Sequence, residues 1–303
     1  MKTLSINRIT IVAFAVLFSI VLYSCQKENS LNNSTSTITE EDATVYSDES
    51  TQAEASFDDA EDVSMIAAEE EGVASEGGRP GDENARFFPT FEELRLRIGN
   101  CATITVTPND STYPKKITID FGDGCIGADG KFRKGVIYIY LTGPIRRSGS
   151  VITITFRDFF LNRAHIEGSK TVNNLSENGN IKFTVQVTGG KVTLPNGRGY
   201  KYEGMKYVKQ IEGGSTRIVR DDVYSIEGRS KTEFNGGLTI VLNTETPLIK
   251  KVACPWISDG TLKIKINDRV LFLDYGAPAN GDCDNKALLT WNNGSNNRLI
   301  TLP

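Results

Sequence analysis

The groups in this chain that could do chemistry are its cysteines, its single histidine and a few sets of acidic and aromatic side chains. Besides Cys25 there are four cysteines, Cys101, Cys125, Cys254 and Cys283. In a chain that leaves the cytoplasm an even number reads as disulfides. Of the three connectivities that four cysteines allow, Cys101 with Cys125 and Cys254 with Cys283 is favoured, since each pair flanks a local run of strands. Free thiols and a tetrahedral zinc site are the alternatives; zinc has no C-x2-C spacing to use, and His165 is far from all four in sequence. His165 is also the only base for a Ser-His-Asp site, and no G-x-S-x-G elbow accompanies it. Glu167, Asp221, Asp222 and Glu227 could supply a carboxylate pair for glycoside hydrolysis, but the sequence does not set their separation. Asp120, Asp123 and Asp129 offer oxygens for calcium without the spaced pattern or the closing Glu of a calcium loop, and Asp with Gly is what tight turns require. The same holds for Asp282 and Asp284. Tyr200, Lys201, Tyr202 and Lys206 interleave rings with ammonium groups. Strand alternation puts Tyr200 and Tyr202 on one face, where they would form a sugar-stacking platform or cover a sheet edge. No residue is assigned a catalytic role, and neither a cofactor nor a metal is expected.

The elements that must position these groups are strands. Ile117, Ile119 and Phe121 alternate with Lys116, Thr118 and Asp120; Ile152, Ile154 and Phe156 alternate with Thr153 and Thr155. Phe183, Val185 and Val187, and then Leu262, Ile264 and Ile266, repeat the pattern. Period two with one apolar face predicts antiparallel strands, buried on one side and wet on the other. Residues 136–141, which contain no charged side chain, predict a strand buried on both sides. Asp129-Gly130, Gly189-Gly190, Asn196-Gly197, Gly213-Gly214, Gly236-Gly237 and Asp259-Gly260 read as turns. No helical stretch separates the strands, so parallel crossovers are not expected. The expected fold is all-β, an antiparallel β-meander forming a barrel-like or sandwich domain, with one short N-terminal helix. That helix is predicted near residues 91–98: Thr90 and Glu93 form a capping box, Phe91, Leu94 and Ile98 lie at helical spacing, and Gly99 stops it.

Charge divides the chain. Net charge is −4, yet residues 26–85 carry −15 and residues 86–303 carry +9. The acidic segment is rich in Ser, Thr, Asn and Glu and has few aromatics, the composition of a disordered tether. Alanines and glutamates between residues 57 and 71 favour a passing helix, which like charges and Gly72 oppose. Docking of the acidic run on the basic domain is the sharper reading of the same split. A basic domain points to an anionic envelope polymer or a glycan as partner.

The N-terminus sets the compartment. Lys2 and Arg8 precede an apolar run over residues 11–22, too short for an ordinary spanning helix and the length of a signal-peptide core. Leu22-Tyr23-Ser24-Cys25 resembles the lipobox of bacterial lipoproteins, which implies acylation of Cys25 after removal of residues 1–24. Several acyl chains on one residue give stable anchoring. Cys25-Gln26-Lys27-Glu28 resembles the short signals that export lipoproteins to the outer surface in Bacteroidota. The order of lipobox, acidic tether and cysteine-containing β domain resembles Bacteroidota lipoproteins of unassigned function. It implies a signal peptide over 1–24, a lipidated disordered tether over 25–85 and an antiparallel β domain over 86–303. It places the chain on the outer membrane, facing the periplasm or the cell surface, with the bilayer as partner through Cys25. Nucleic acid is excluded by that location. Ile119-Asp120-Phe121-Gly122-Asp123-Gly124 is similar to the D-F-G-D-G signature of polycystic-kidney-disease-type sandwich domains, but the His-x-Tyr segment that follows it there is missing. The reading that results is a non-enzymatic binding module for a glycan, an anionic polymer or a protein partner; a polysaccharide hydrolase and a purely structural envelope component are the alternatives.

Overall fold

The computed structural model describes residues 40–75, 89–177, 180–216 and 218–302. The signal segment, Cys25 and both ends of the expected tether lie outside the described residues. Among the described residues the fold is mostly one antiparallel sheet with two α-helices, α1 (Glu40–Ser75) and α2 (Glu92–Ile98). Its 14 strands are β1 (Thr103–Thr107), β2 (Lys115–Asp120), β3 (Cys125–Ile126), β4 (Phe132–Leu141), β5 (Val151–Leu161), β6 (Ala164–Asn174) and β7 (Lys182–Thr193). They continue as β8 (Gly199–Glu212), β9 (Val223–Phe234), β10 (Thr239–Lys251), β11 (Asp259–Ile266), β12 (Arg269–Asp274), β13 (Lys286–Trp291) and β14 (Asn296–Thr301). Strands pair in chain order, except that the short β3 pairs only with β4. Among the described residues no ladder joins β14 back to β1, so the sheet is a meander that curls without closing.

The alternation read from the sequence sets the inner face. Ile117, Ile119, Ile152, Ile154, Phe183, Val185, Ile264 and Ile266 are all buried in one core. The strand expected to be buried on both sides is not: Tyr140 is 47% exposed, and Lys116 lies over the outward Tyr138 ring at 4.0 Å. An aromatic is compatible with either face, so composition could not tell them apart.

The curl is made by bulges. Register shifts interrupt β4 with β5 near Gly135, β5 with β6 before Phe159, β6 with β7 at Gly168, and β7 with β8 at Gly189. A bulge bends its strand and increases local twist, and a row of them folds a sheet over. Gly135 has φ 82°, and a Cβ there would stand 2.0 Å from the Asp158 carbonyl oxygen, so no other residue fits. Gly189-Gly190 is therefore a mid-strand bulge, not the turn its sequence suggests. Asp259-Gly260 likewise begins β11 and makes no turn.

The main departure from expectation is α1. Residues 40–75, read as part of a disordered tether, form a helix of 36 residues, about 54 Å long at 1.5 Å per residue. It lies within the curl, touching β4, β5 and β6 on one side and β9 and β10 on the other. Phe57, Ala60, Val63, Ala67 and Ala68 are fully buried there. Alone, this helix would be too acidic to hold and too polar to bury. The sheet removes both objections by supplying apolar surface and counter-charge together.

α2 forms where predicted, with Phe91, Leu94 and Ile98 buried. The capping box does not form, because Phe91 occupies the N-cap with no side-chain cap. Instead the Glu70 carboxylate of α1 accepts hydrogen bonds from the backbone N–H groups of Glu93 at 3.2 Å and Leu94 at 3.0 Å. A carboxylate from a neighbouring helix thus does the work of a local cap.

Candidate functional site

The site begins with bases that point inward. Lys115 on β2, Arg133 on β4, Lys170 on β6, Lys206 on β8 and Lys250 on β10 come from every second strand, and all are buried. Each shares the phase of its strand's core residues: Lys115 with Ile117, Lys170 with Val172, Lys206 with Tyr202, Lys250 with Leu248. Together they form a belt around α1, which carries thirteen acidic residues and no base.

The contacts follow the helix from one end to the other. Arg198 reaches Glu49 at 2.9 Å. Lys206 holds Glu54 at 2.9 Å and Asp58 at 2.7 Å. Lys170 pairs with Asp58 at 3.3 Å and also with Glu61. Arg133 donates to Asp59 from Nε at 2.9 Å and from Nη2 at 2.7 Å, and also grips Asp129. Asp62 receives Arg97 at 3.0 Å and Lys250 at 2.5 Å. Arg146 binds Glu69 at 2.7 Å and Asp222 at 3.0 Å, and Lys115 binds Glu71 at 2.9 Å. Burial pushes the Asp59 carboxyl up, but Arg133 and Lys131 outweigh it and hold the group below the usual carboxylate range. Glu61 goes the other way: burial raises it, and Lys170 offsets only part of that.

The helix does not fill the curl. Between α1 and β7–β10 a cleft of about 110 Å³ remains. One wall is the stripe Glu54, Asp58, Glu61, Asp62, Met65 and Glu69 of α1, at helical spacing. The facing wall is apolar and aromatic, with Phe183, Val208, Tyr224, Ile226 and Tyr275. The segment after β10 closes one end with Val252, Pro255, Trp256 and Ile257. Lys206, Lys250, Lys131 and Arg97 also reach the lining. Burial lowers the Lys250 ammonium below its ordinary value, against the pull of Asp62.

The residues singled out in the sequence fare unevenly. Cys101–Cys125 and Cys254–Cys283 are bonded as favoured. Tyr200 and Tyr202 do not form an exposed platform: each is 1% exposed. Phe57 stacks on Tyr202 with ring centroids 4.9 Å apart. Lys206 is buried with them, and Lys201 points outward alone. The tyrosines do share a strand face, as read, but α1 covers it. Glu167 sits outside, bound to Lys191 at 2.8 Å, while Asp222 is buried against Arg146, so the four suggested carboxylates do not converge. Asp129 is taken by Arg133, and Asp120 accepts from the Gly122 N–H at 2.8 Å. His165 stacks on Phe160 at 4.6 Å beside the β5–β6 turn. No group of three His, Cys, Asp or Glu among the described residues could hold a metal ion.

Sequence reasoning missed the cleft because its acidic wall lay in the presumed tether. A signal was present: Lys115, Lys170, Lys206 and Lys250 occupy core-phase positions, and a core lysine demands a buried carboxylate from somewhere. No protein-family model, curated protein or solved structure matches this chain.

Proposed function

We propose that this chain is a lipid-anchored envelope protein whose β domain, with α1 seated in it, is a non-enzymatic binding module, and that the cleft beside α1 is its ligand site. The cleft carries this reading: a concave, largely apolar space with a few convergent charged groups is where small polar ligands with an apolar body bind. Its carboxylates are each held by a base. Much of the +9 that suggested an anionic ligand faces α1 instead of solvent, through Lys115, Lys131, Arg133, Lys170, Lys206 and Lys250. A small polar ligand, a short glycan or a segment of a partner protein therefore suits the site better than a polyanion.

The anchor rests on Leu22-Tyr23-Ser24-Cys25. Cys25→Ser should move the protein from the membrane to the soluble fraction, and a variant that stayed with membranes through salt washing would overturn the lipidation reading. The cleft is tested by titrating panels of sugars, amino acids and short peptides while following tryptophan fluorescence, Trp256 being in the lining. A saturable change that Trp256→Phe removes is expected. No response to any panel would remove the cleft as a ligand site.

A polysaccharide hydrolase is the second reading. It is favoured by one observation: Asp58 is held low while nearby Glu61 is pushed up, an arrangement that separates base from acid. It requires release of reducing ends from a polysaccharide and loss of that release in both Asp58→Asn and Glu61→Gln.

A further inference from the structure

The charges around the cleft are unbalanced in opposite senses at its two ends. At one end three carboxylates share two ammonium groups: Glu54 and Asp58 meet Lys206 at 2.9 and 2.7 Å, while Asp58 and Glu61 share Lys170. At the other end one carboxylate, Asp62, faces two bases, Arg97 at 3.0 Å and Lys250 at 2.5 Å. The first cluster lacks a positive charge and the second a negative one. Asp58 and Asp62 are four residues apart on α1, so the two poles are separated by about 5–6 Å, one helical turn.

Resting on the cleft being the ligand site, we propose that it takes a small zwitterionic amino compound, an amino acid or short peptide, with its ammonium at Asp58 and Glu61 and its carboxylate at Arg97 and Lys250. Unbalanced charge in a low-dielectric pocket is costly, and a ligand that completes both clusters relieves both ends at once. A molecule with one charge completes only one. The donors are available: the Lys250 ammonium has three N–H bonds and gives two, to Asp62 and to the Pro255 carbonyl at 2.9 Å. Burial moves Glu61 up and Lys250 down, each toward its uncharged form, and Lys170 and Asp62 offset only part of that. The walls that would meet a side chain are Met65, Val208, Ile226 and Ile257.

Calorimetric titration of the full chain at neutral pH tests this with four probes: leucine, glycyl-leucine, isoamylamine and 4-methylpentanoate. Leucine or glycyl-leucine is expected to bind at least tenfold more tightly than either single-charge analogue, and the better of the two identifies a free amino acid or a peptide as the source. Glu61→Gln should weaken the zwitterion and the amine at least fivefold and leave the acid unchanged, while Lys250→Met should do the converse. If either variant fails to fold by circular dichroism, the probe series on the unaltered chain decides. The inference is overturned if a single-charge analogue binds as tightly as the zwitterion. It is also overturned if none of the four binds while a sugar still changes the tryptophan signal, and in that case the cleft stands as a site. Silence from every probe and every panel would remove the site and the inference together.

Discussion

Arg133 has no exposed surface, yet it keeps its charge, because Asp59 and Asp129 close on the guanidinium from two sides. A fork of donors matched to two carboxylates is the geometry in which a buried charge is tolerable. Removing it strands both acids. Arg133→Met should cost about 3–5 kcal/mol, read as a lower urea midpoint, whereas Tyr207→Ala on the exposed face of β8 should change stability by no more than about 0.5 kcal/mol. Equal effects would mean that the belt contributes nothing specific. Asp222 makes a second test. Burial pushes its carboxyl up to about 6 from an ordinary value of 3.8, with Arg146 opposing. A raised acid binds its proton more tightly in the folded state, so its contribution to stability falls as pH rises from about 4 to 6. The opposite sign belongs to Asp59, whose lowered carboxyl supports the fold above the usual carboxylate range and ceases to do so on acidification. Asp222→Asn should therefore remove a downward slope between pH 4 and 6 from the stability profile; a difference curve flat over that range would count against the burial of Asp222.

α1 and the sheet explain each other at the scale of elements. Without α1, Tyr200, Tyr202 and Phe183 would face water, and Lys115, Arg133, Lys170, Lys206 and Lys250 would repel one another along one inner face. Without the sheet, a 36-residue helix with thirteen acids and no base would have no partner. Deleting residues 40–75 should abolish the cooperative unfolding transition and the near-ultraviolet circular dichroism of the domain. A synthetic peptide of residues 40–75, added to the deleted protein, should restore both. A cooperative transition left unchanged by the deletion would show that the helix is an accessory. The bulged line through Gly135, Gly168 and Gly189 lets the strands wrap the helix, and Gly190 leaves room there: a Cβ on it would stand 3.0 Å from the Phe57 ring.

Across the whole molecule the disulfides have different duties. Cys101–Cys125 ties the segment before β1 to β3. Cys254–Cys283 ties the segment after β10, which carries Pro255, Trp256 and Ile257, to the connection between β12 and β13. Their sequence separations of 24 and 29 residues imply roughly 3.5 kcal/mol of stabilisation each in the chain-entropy model. Replacing either pair by serine should lower the melting temperature comparably. Only Cys254→Ser with Cys283→Ser should also weaken binding in the cleft, because only that bridge holds the end wall. Equal loss of binding from both pairs would mean that the end wall does not depend on its own bridge.

By itself the sequence determined the antiparallel class, the buried face of the strands that alternate strictly, the short helix α2 and the favoured cysteine pairing. These follow from local rules: period two, turn residues and the parity of thiols read without knowledge of distant partners. It also held half of the central contact, since the lysines at core-phase positions announced carboxylates still to be found. Only the tertiary structure decided that residues 40–75 supply them, that Tyr200 and Tyr202 lie beneath a helix instead of facing a ligand, and that Glu70 caps α2. The reason is physical. Whether an acidic segment stays solvated or folds depends on whether another part of the chain offers counter-charge and apolar surface in the right geometry, and that geometry exists only once the bulged sheet has curled.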